Sequence, residues 1–223
     1  MKLTILAASG GIGRQLLDQA VAADHDVTAV VRTPAKLAGT TGVRIVQADL
    51  ATADGAALRP AVLGVDAVLS ALGAVGKSGV GVAEHGTKAV LDAMRATGVE
   101  RLVVVSAAPI GTVPSPGRPH PPRHDPGDGF LIRHLLGPAV KAVLRAHYAD
   151  LARMEDALRA SGLAWTAVRP PRLTDGPLTT TYRTALDRNL RGGTAISRAS
   201  VAHFMLRTVG EPDTIGHTVG IAR

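Results

Sequence analysis

Apolar residues come in short runs bounded by turn formers. Leu3–Ala7, Val27–Val31, Arg44–Gln47, Ala67–Ser70, Arg101–Val105 and Trp165–Val168 are too short for helices, and read as strands buried in a parallel sheet. Between them the spacing changes. Ile12, Leu16, Leu17 and Ala20 recur at helical intervals, as do Val90, Leu91, Met94 and Ala96 before Gly98. Phe130–Arg145 and Tyr148–Ala160 predict two more helices, the second with Leu151, Met154, Ala157 and Leu158 on its apolar face and Ser161-Gly162 as its stop. Arg198–Val209 predicts another, N-capped by Ser197, with Val201, Phe204 and Met205 on one side. The alternation predicts an α/β fold, a doubly wound parallel sheet with helices on both faces.

The rhythm breaks at PIGTVPSPGRPHPPRHDP, Pro109–Pro126. Proline at this density blocks helix and ladder alike. The loop, 109–128 with its glycine-rich end, follows the fifth strand, on the edge where α/β folds hold ligands. It reads equally as a substrate lid or as a disordered loop.

Composition narrows the function. The chain has 223 residues, enough for one domain spanning 1–223 and a core that needs no staples. Cysteine is absent, which excludes disulfides, thiolate metal sites, iron–sulfur clusters and a cysteine nucleophile, and fits a cytoplasmic setting. The net charge of +7 invites a nucleic-acid reading, but aromatics are only 2 % of residues and the arginines are scattered, so no stacking platform or basic stripe exists. No apolar run approaches the roughly 20 residues of a membrane span, and the short apolar start is no signal peptide. No nucleic acid and no membrane are expected as partners. His120 and His124 lack a third ligand at metal spacing, so no metal is expected, and His203 beside Phe204 reads as a packed helix residue.

The chemistry sits at the end of the first strand, in Ala7-Ala8-Ser9-Gly10-Gly11-Ile12-Gly13. A glycine turn between strand and helix lets backbone N–H groups approach a pyrophosphate at the positive end of the helix. Gly10 permits close approach of the phosphate, Gly13 close packing of helix on strand. An acidic residue at the end of the second strand would bind the ribose 2′-hydroxyl of NAD. Arg32 stands there instead, with Lys36 one turn on. Arginine forks onto a 2′-phosphate, so the cofactor expected is NADP(H). Asp49, ending the third strand, is placed to accept from the adenine amino group.

Further motifs follow: Leu158-Arg159-Ala160-Ser161-Gly162-Leu163, Pro170-Pro171, Asp175-Gly176-Pro177-Leu178-Thr179, Ile196-Ser197 with His203-Phe204-Met205-Leu206-Arg207, and Gly216-His217. With the glycine turn, they make the chain resemble, over nearly its whole length, the NAD(P)H-binding atypical short-chain dehydrogenases of the biliverdin-IXβ (flavin) reductase type. The resemblance implies one Rossmann-like domain with a small C-terminal substrate-side region. It also implies NADPH-dependent hydride transfer to a small, flat conjugated acceptor: a flavin, tetrapyrrole or quinone. It maps the cofactor loop onto Ala8, Ser9, Gly10, Gly11 and Ile12, the 2′-phosphate arginine onto Arg32 and the adenine-side pair onto Asp49 and Leu50. Leu72 and Gly73 fall beside the ribose and phosphates, Ser106 on the active-site serine, and Pro170 and Pro171 beside the nicotinamide. The chain departs from the family at Ala7, where a glycine is usual and whose replacement predicts a looser turn. Arg172 and Leu151 replace histidines, and the segment Pro109–Ala146 is longer.

Most short-chain dehydrogenases use a tyrosine with a lysine four residues on. The only tyrosines are Tyr148 and Tyr182, followed at that spacing by Ala152 and Leu186. That disfavours ordinary alcohol–ketone chemistry, but not reduction of a flavin-like acceptor, where solvent can supply a proton. Ser106 and Tyr148 are the candidate catalytic donors, Arg172 and Tyr182 the substrate-side residues. Two alternatives stay open: an NADP(H)-binding sensor or scaffold without turnover, and an epimerase or dehydratase of the extended type. Either a monomer or a homodimer is expected.

Overall fold

The computed structural model of the chain describes residues 1–73, 79–129 and 143–223. All six apolar runs are strands: β1 Lys2–Leu6, β2 Asp26–Val31, β3 Val43–Gln47, β4 Ala67–Ser70, β5 Arg101–Val105 and β6 Ala164–Arg169. They alternate with α1 Gly11–Ala22, α2 Gly55–Val62, α3 Val82–Thr97 and α4 Arg145–Arg159, and α5 Arg198–Thr208 follows. Residues 130–142 of the expected helix Phe130–Arg145 lie outside the described residues. Four strands went unread: β7 Arg172–Thr174, β8 Arg183–Leu186, β9 Ala195–Ser197 and β10 His217–Ala222. The first three are too short to show a period, and Gly220 interrupts the fourth.

One sheet runs β3-β2-β1-β4-β5-β6-β10-β8, with β8 its antiparallel edge; β7 and β9 pair separately, in parallel. This is the expected Rossmann-like doubly wound arrangement. The strand order reverses between β1 and β4, whose last residues Leu6 and Ser70 are paired. The crevice beyond them is the switch point where such sheets hold ligands.

Side chains alternate across the sheet, so two cores form. Val30, Val68, Leu102 and Val104 lie under α2, α3 and α4, while Leu3, Ile5, Ala29 and Val103 lie under α1 and α5. The helices are also tied to each other. Asp150 of α4, fully buried, accepts from the backbone N–H groups of Gly81 (2.9 Å), Ala83 (3.2 Å) and Glu84 (3.0 Å). It thereby gives α3 the N-terminal cap that its own Gly81 lacks.

The proline-rich segment is anchored to the body. It enters through a 3-10 turn, Ala108–Thr112, and bridges Ser115 to Arg118. Ser115 Oγ and Gly117 N both donate to Asp156 of α4 at 2.9 Å, and Asn189 N donates to the buried Asp125 at 2.8 Å. Proline removes ladder donors, but carboxylates from outside the segment and within it supply the anchors. These bonds tie the segment to α4 and to Asn189.

Candidate functional site

β1 ends at Leu6, and Ala7 turns the chain in the left-handed region, φ +56°. Gly10 N donates back to Ala7 O at 2.9 Å. The turn is thus tight rather than loosened by Ala7. A Cβ on Gly13 would lie 2.1 Å from Ala7 O, and one on Gly10 3.2 Å from it, so Gly13 is what lets α1 close onto β1. Helix α1 has no side-chain cap and no acidic residue in its first turn. Among the described residues the N–H groups of Gly11, Ile12 and Gly13 find no acceptor. Uncapped N–H groups at a helix N-terminus fit a phosphate. Ala8 and Ile12 are buried in the core and offer only backbone to such a ligand. Ser9 is half-buried beside them.

Leu6 pairs with Val30 and Ala8 N donates to Val30 O at 3.4 Å, so Arg32, two residues on, leaves β2 next to the glycine turn. Arg32 is exposed, and its guanidinium has no hydrogen-bond or ion-pair partner among the described residues. Lys36, on the 3-10 turn Pro34–Leu37, is exposed as well. Asp49 is exposed beyond β3, one oxygen accepting from Ala51 N at 3.1 Å. The side chains of Leu50 and Leu72 are buried under α3, so these two positions would offer a cofactor their backbone. Gly86 of α3 explains their placement, because a Cβ there would lie 2.9 Å from Leu72 Cδ1 and 3.0 Å from Leu50 O. Gly73 is exposed, with nothing near its Cβ direction among the described residues.

Ser106 extends β5 and is buried, its N–H donating to Val168 O at 2.7 Å. Its hydroxyl donates to Glu155 Oε1 at 2.7 Å. Glu155 is buried and doubly held by Arg169, with Nε to Oε1 at 2.8 Å and Nη2 to Oε2 at 2.5 Å; Arg159 Nη2 adds a bond of 2.6 Å to Oε2. Burial alone would raise the Glu155 pKa, but Arg169, Arg159 and the Ser106 hydroxyl outweigh it and hold the carboxyl below the ordinary value. Pro170 and Pro171 cap this corner, Pro170 O accepting from Ala108 N at 2.9 Å.

The two tyrosines lie in different surroundings. Tyr148 lies in the first turn of α4 but is buried in the core, and burial raises its pKa, which makes it a poorer acid. Tyr182 bonds His203 Nδ1 at 2.8 Å and packs edge-on against Phe204, with Arg207 over its ring. Those partners lie further down α5 than the end that meets the glycine turn. Arg172, on β7, is exposed. The sheet order therefore brings the glycine turn, Arg32 and Asp49 to one crest, while Tyr148 is buried at the start of α4 and Tyr182 is held by α5.

One residue at the crest went unread. Arg198 opens α5 and lies across the glycine turn: a Cβ on Gly11 would stand 2.7 Å from its Cδ and 2.8 Å from its Nε. A signal existed, since arginine directly after the N-cap Ser197 opposes the helix dipole. A cavity of about 320 Å³ lies elsewhere, under the proline-rich segment and bordered by Gly111, Arg118, Asp125, Arg159 and Arg169. No residue of the glycine turn borders it.

Comparison with known proteins bears on the family and the fold. The model of the NAD(P)H-binding family matches residues 7–212. The UPF0659 protein C216.03 of Schizosaccharomyces pombe is 33 % identical over 114 residues, 49 % of this chain and 44 % of that protein. The matched stretch thus spans less than half the length of that relative. Among solved structures, the oxidoreductase ylbE of Lactococcus lactis superposes with a TM-score of 0.80 at 19 % identity, covering 100 % of this chain and 91 % of that one. A candidate NADH-flavin reductase of Streptococcus pneumoniae gives 0.73 at 23 % identity, over 100 % and 99 %. A short-chain dehydrogenase/reductase of Veillonella parvula, solved in complex with NADP, gives 0.76 at 16 % identity, over 100 % and 94 %.

Proposed function

The chain belongs to the NAD(P)H-binding family, and from that premise we propose that it is an NADPH-dependent reductase of a flat conjugated acceptor, such as a flavin, quinone or tetrapyrrole. One observation carries the choice of cofactor: the exposed guanidinium of Arg32, free of any partner among the described residues, at the end of β2 beside uncapped N–H groups. The N–H groups of Gly11–Gly13 would hold the diphosphate, Arg32 the 2′-phosphate with help from Lys36, and Asp49 the adenine amino group. The nicotinamide supplies the hydride when bound. Ser106 would act there as an acceptor, since Glu155 takes its proton and leaves its lone pairs for a carboxamide N–H. The name of the pneumococcal neighbour and the missing Tyr/Lys pair support an acceptor that solvent can protonate.

A hydrogen bond to a charged group is worth roughly 1.5–3 kcal/mol, so NADPH should bind about ten- to a hundredfold tighter than NADH. Arg32→Asp is expected to remove that preference and leave NADH affinity nearly unchanged, as read by fluorescence titration. Equal binding of both nucleotides by the wild type would refute the assignment.

The buried Tyr148 and the engaged Ser106 hydroxyl also favour a second reading, an NADP(H)-binding sensor without turnover. Following NADPH absorbance with a panel of flavins and quinones separates the two: tight binding with no oxidation by any acceptor selects the sensor.

A further inference from the structure

Arg198 is poorly placed for helix stability. It is the first residue of α5, where a cation opposes the helix dipole. Its stem lies against Gly11, at the mouth of the uncapped N–H groups of α1. Its Nη1 donates to Asp175 Oδ1 at 2.5 Å. Asp175 is 89 % exposed on its side chain, Arg198 only 31 %. Thr174 of β7 pairs with Ser197 of β9 in parallel register, so Asp175 and Arg198 are the next residues on neighbouring strands and leave the ribbon side by side. Both anchors of this ribbon are tied down. Ser197 Oγ accepts from Ser200 N at 3.1 Å, and Thr179 N donates to Ser200 Oγ at 3.0 Å. Among the described residues, an arginine lying over a phosphate cradle thus has one carboxylate partner, and that partner faces water.

We propose that Arg198 binds the diphosphate of the dinucleotide, and that Asp175 competes with the diphosphate for its guanidinium and so lowers cofactor affinity. The inference rests on the NADP(H) reading above. A guanidinium forks onto phosphate oxygens as readily as onto a carboxylate. The diphosphate is common to NADPH and NADH, so Arg198 serves both, whereas Arg32 discriminates between them.

The test is nucleotide titration of the full chain by calorimetry, at low and high salt, with Arg198→Ala, Arg198→Lys, Asp175→Asn and the double variant Arg198→Ala/Asp175→Asn. Arg198→Ala should weaken NADPH and NADH by the same factor, about ten- to a hundredfold, and Arg198→Lys by less, since it keeps the charge but not the fork. Asp175→Asn should tighten both by a few-fold, the scale of one exposed ion pair, and should do nothing once Arg198 is gone. High salt should shrink every difference. Melting temperatures without nucleotide should stay close to wild type, which separates binding from folding. Unchanged affinity in Arg198→Ala, loss of NADPH binding alone, or weaker binding in Asp175→Asn would each overturn the proposal while leaving the cofactor reading intact. Failure of the wild type to bind either nucleotide would overturn both.

Discussion

Ala7 holds a backbone conformation, φ +56°, that costs a residue with a Cβ roughly 1–2 kcal/mol. Glycine would release that strain but lose more entropy on folding, about 0.4–1 kcal/mol. Ala7→Gly should therefore stabilise the protein by about 0.5–1 kcal/mol, read from the midpoint of urea unfolding at unchanged slope; a destabilised variant would show that the turn needs the methyl group. Gly13→Ala is the opposite case. Its Cβ would meet Ala7 O at 2.1 Å, and backbone on both sides leaves nothing flexible to yield. That variant should lose both stability and nucleotide binding, because the strand-to-helix turn must open to admit it.

At the scale of elements, the bond between α4 and α3 is the one to break. Asp150 accepts three N–H groups at the start of α3 from a fully buried position. Asp150→Asn keeps the shape but removes the charge and turns one acceptor oxygen into a donor. The expected cost is about 1.5–3 kcal/mol, the scale of hydrogen bonds to a charged group. Hydrogen exchange should show faster exchange at Gly81, Ala83 and Glu84 than across the rest of α3. Uniform acceleration along the chain would mean that Asp150 supports the whole core rather than one helix end. Among the described residues no side chain caps α1 in this way, so the N–H groups of its first turn are left without the carboxylate that α3 has.

At the scale of the whole molecule, Glu155 joins α4 to the ends of β5 and β6 through Ser106 and Arg169. Its pKa is depressed in the folded protein relative to the ordinary value of about 4.3. A depressed carboxylate contributes stability that is full above the unfolded pKa and is lost as pH falls through the lower folded value. The wild type should hold its melting temperature down to about pH 4.5 and then lose it steeply. Glu155→Gln should be less stable at neutral pH by about 3–5 kcal/mol, since Arg169 is left buried without its counter-charge, and its stability should fall less between pH 5 and pH 3. An acid profile identical to wild type would place the acid sensitivity elsewhere. The sequence by itself determined the six parallel strands, the buried faces of α1, α4 and α5, the glycine turn and the positions of Arg32 and Asp49, because run length, period and turn chemistry are local and a strand end fixes where its next residue emerges; α2 went unread, and Ala96, counted with the α3 face, is exposed. Only the tertiary structure decided what the side chains meet. Ser106 meets Glu155 from 49 residues away, Tyr148 sinks into the core, Tyr182 is taken by His203, and Arg198 crosses from the last helix to the first turn. No local pattern encodes these, since a hydrogen-bond partner or a buried face follows from how distant elements pack, and the short strands β7 and β9 that bring Arg198 over the turn are ordered by that packing rather than by any period of their own.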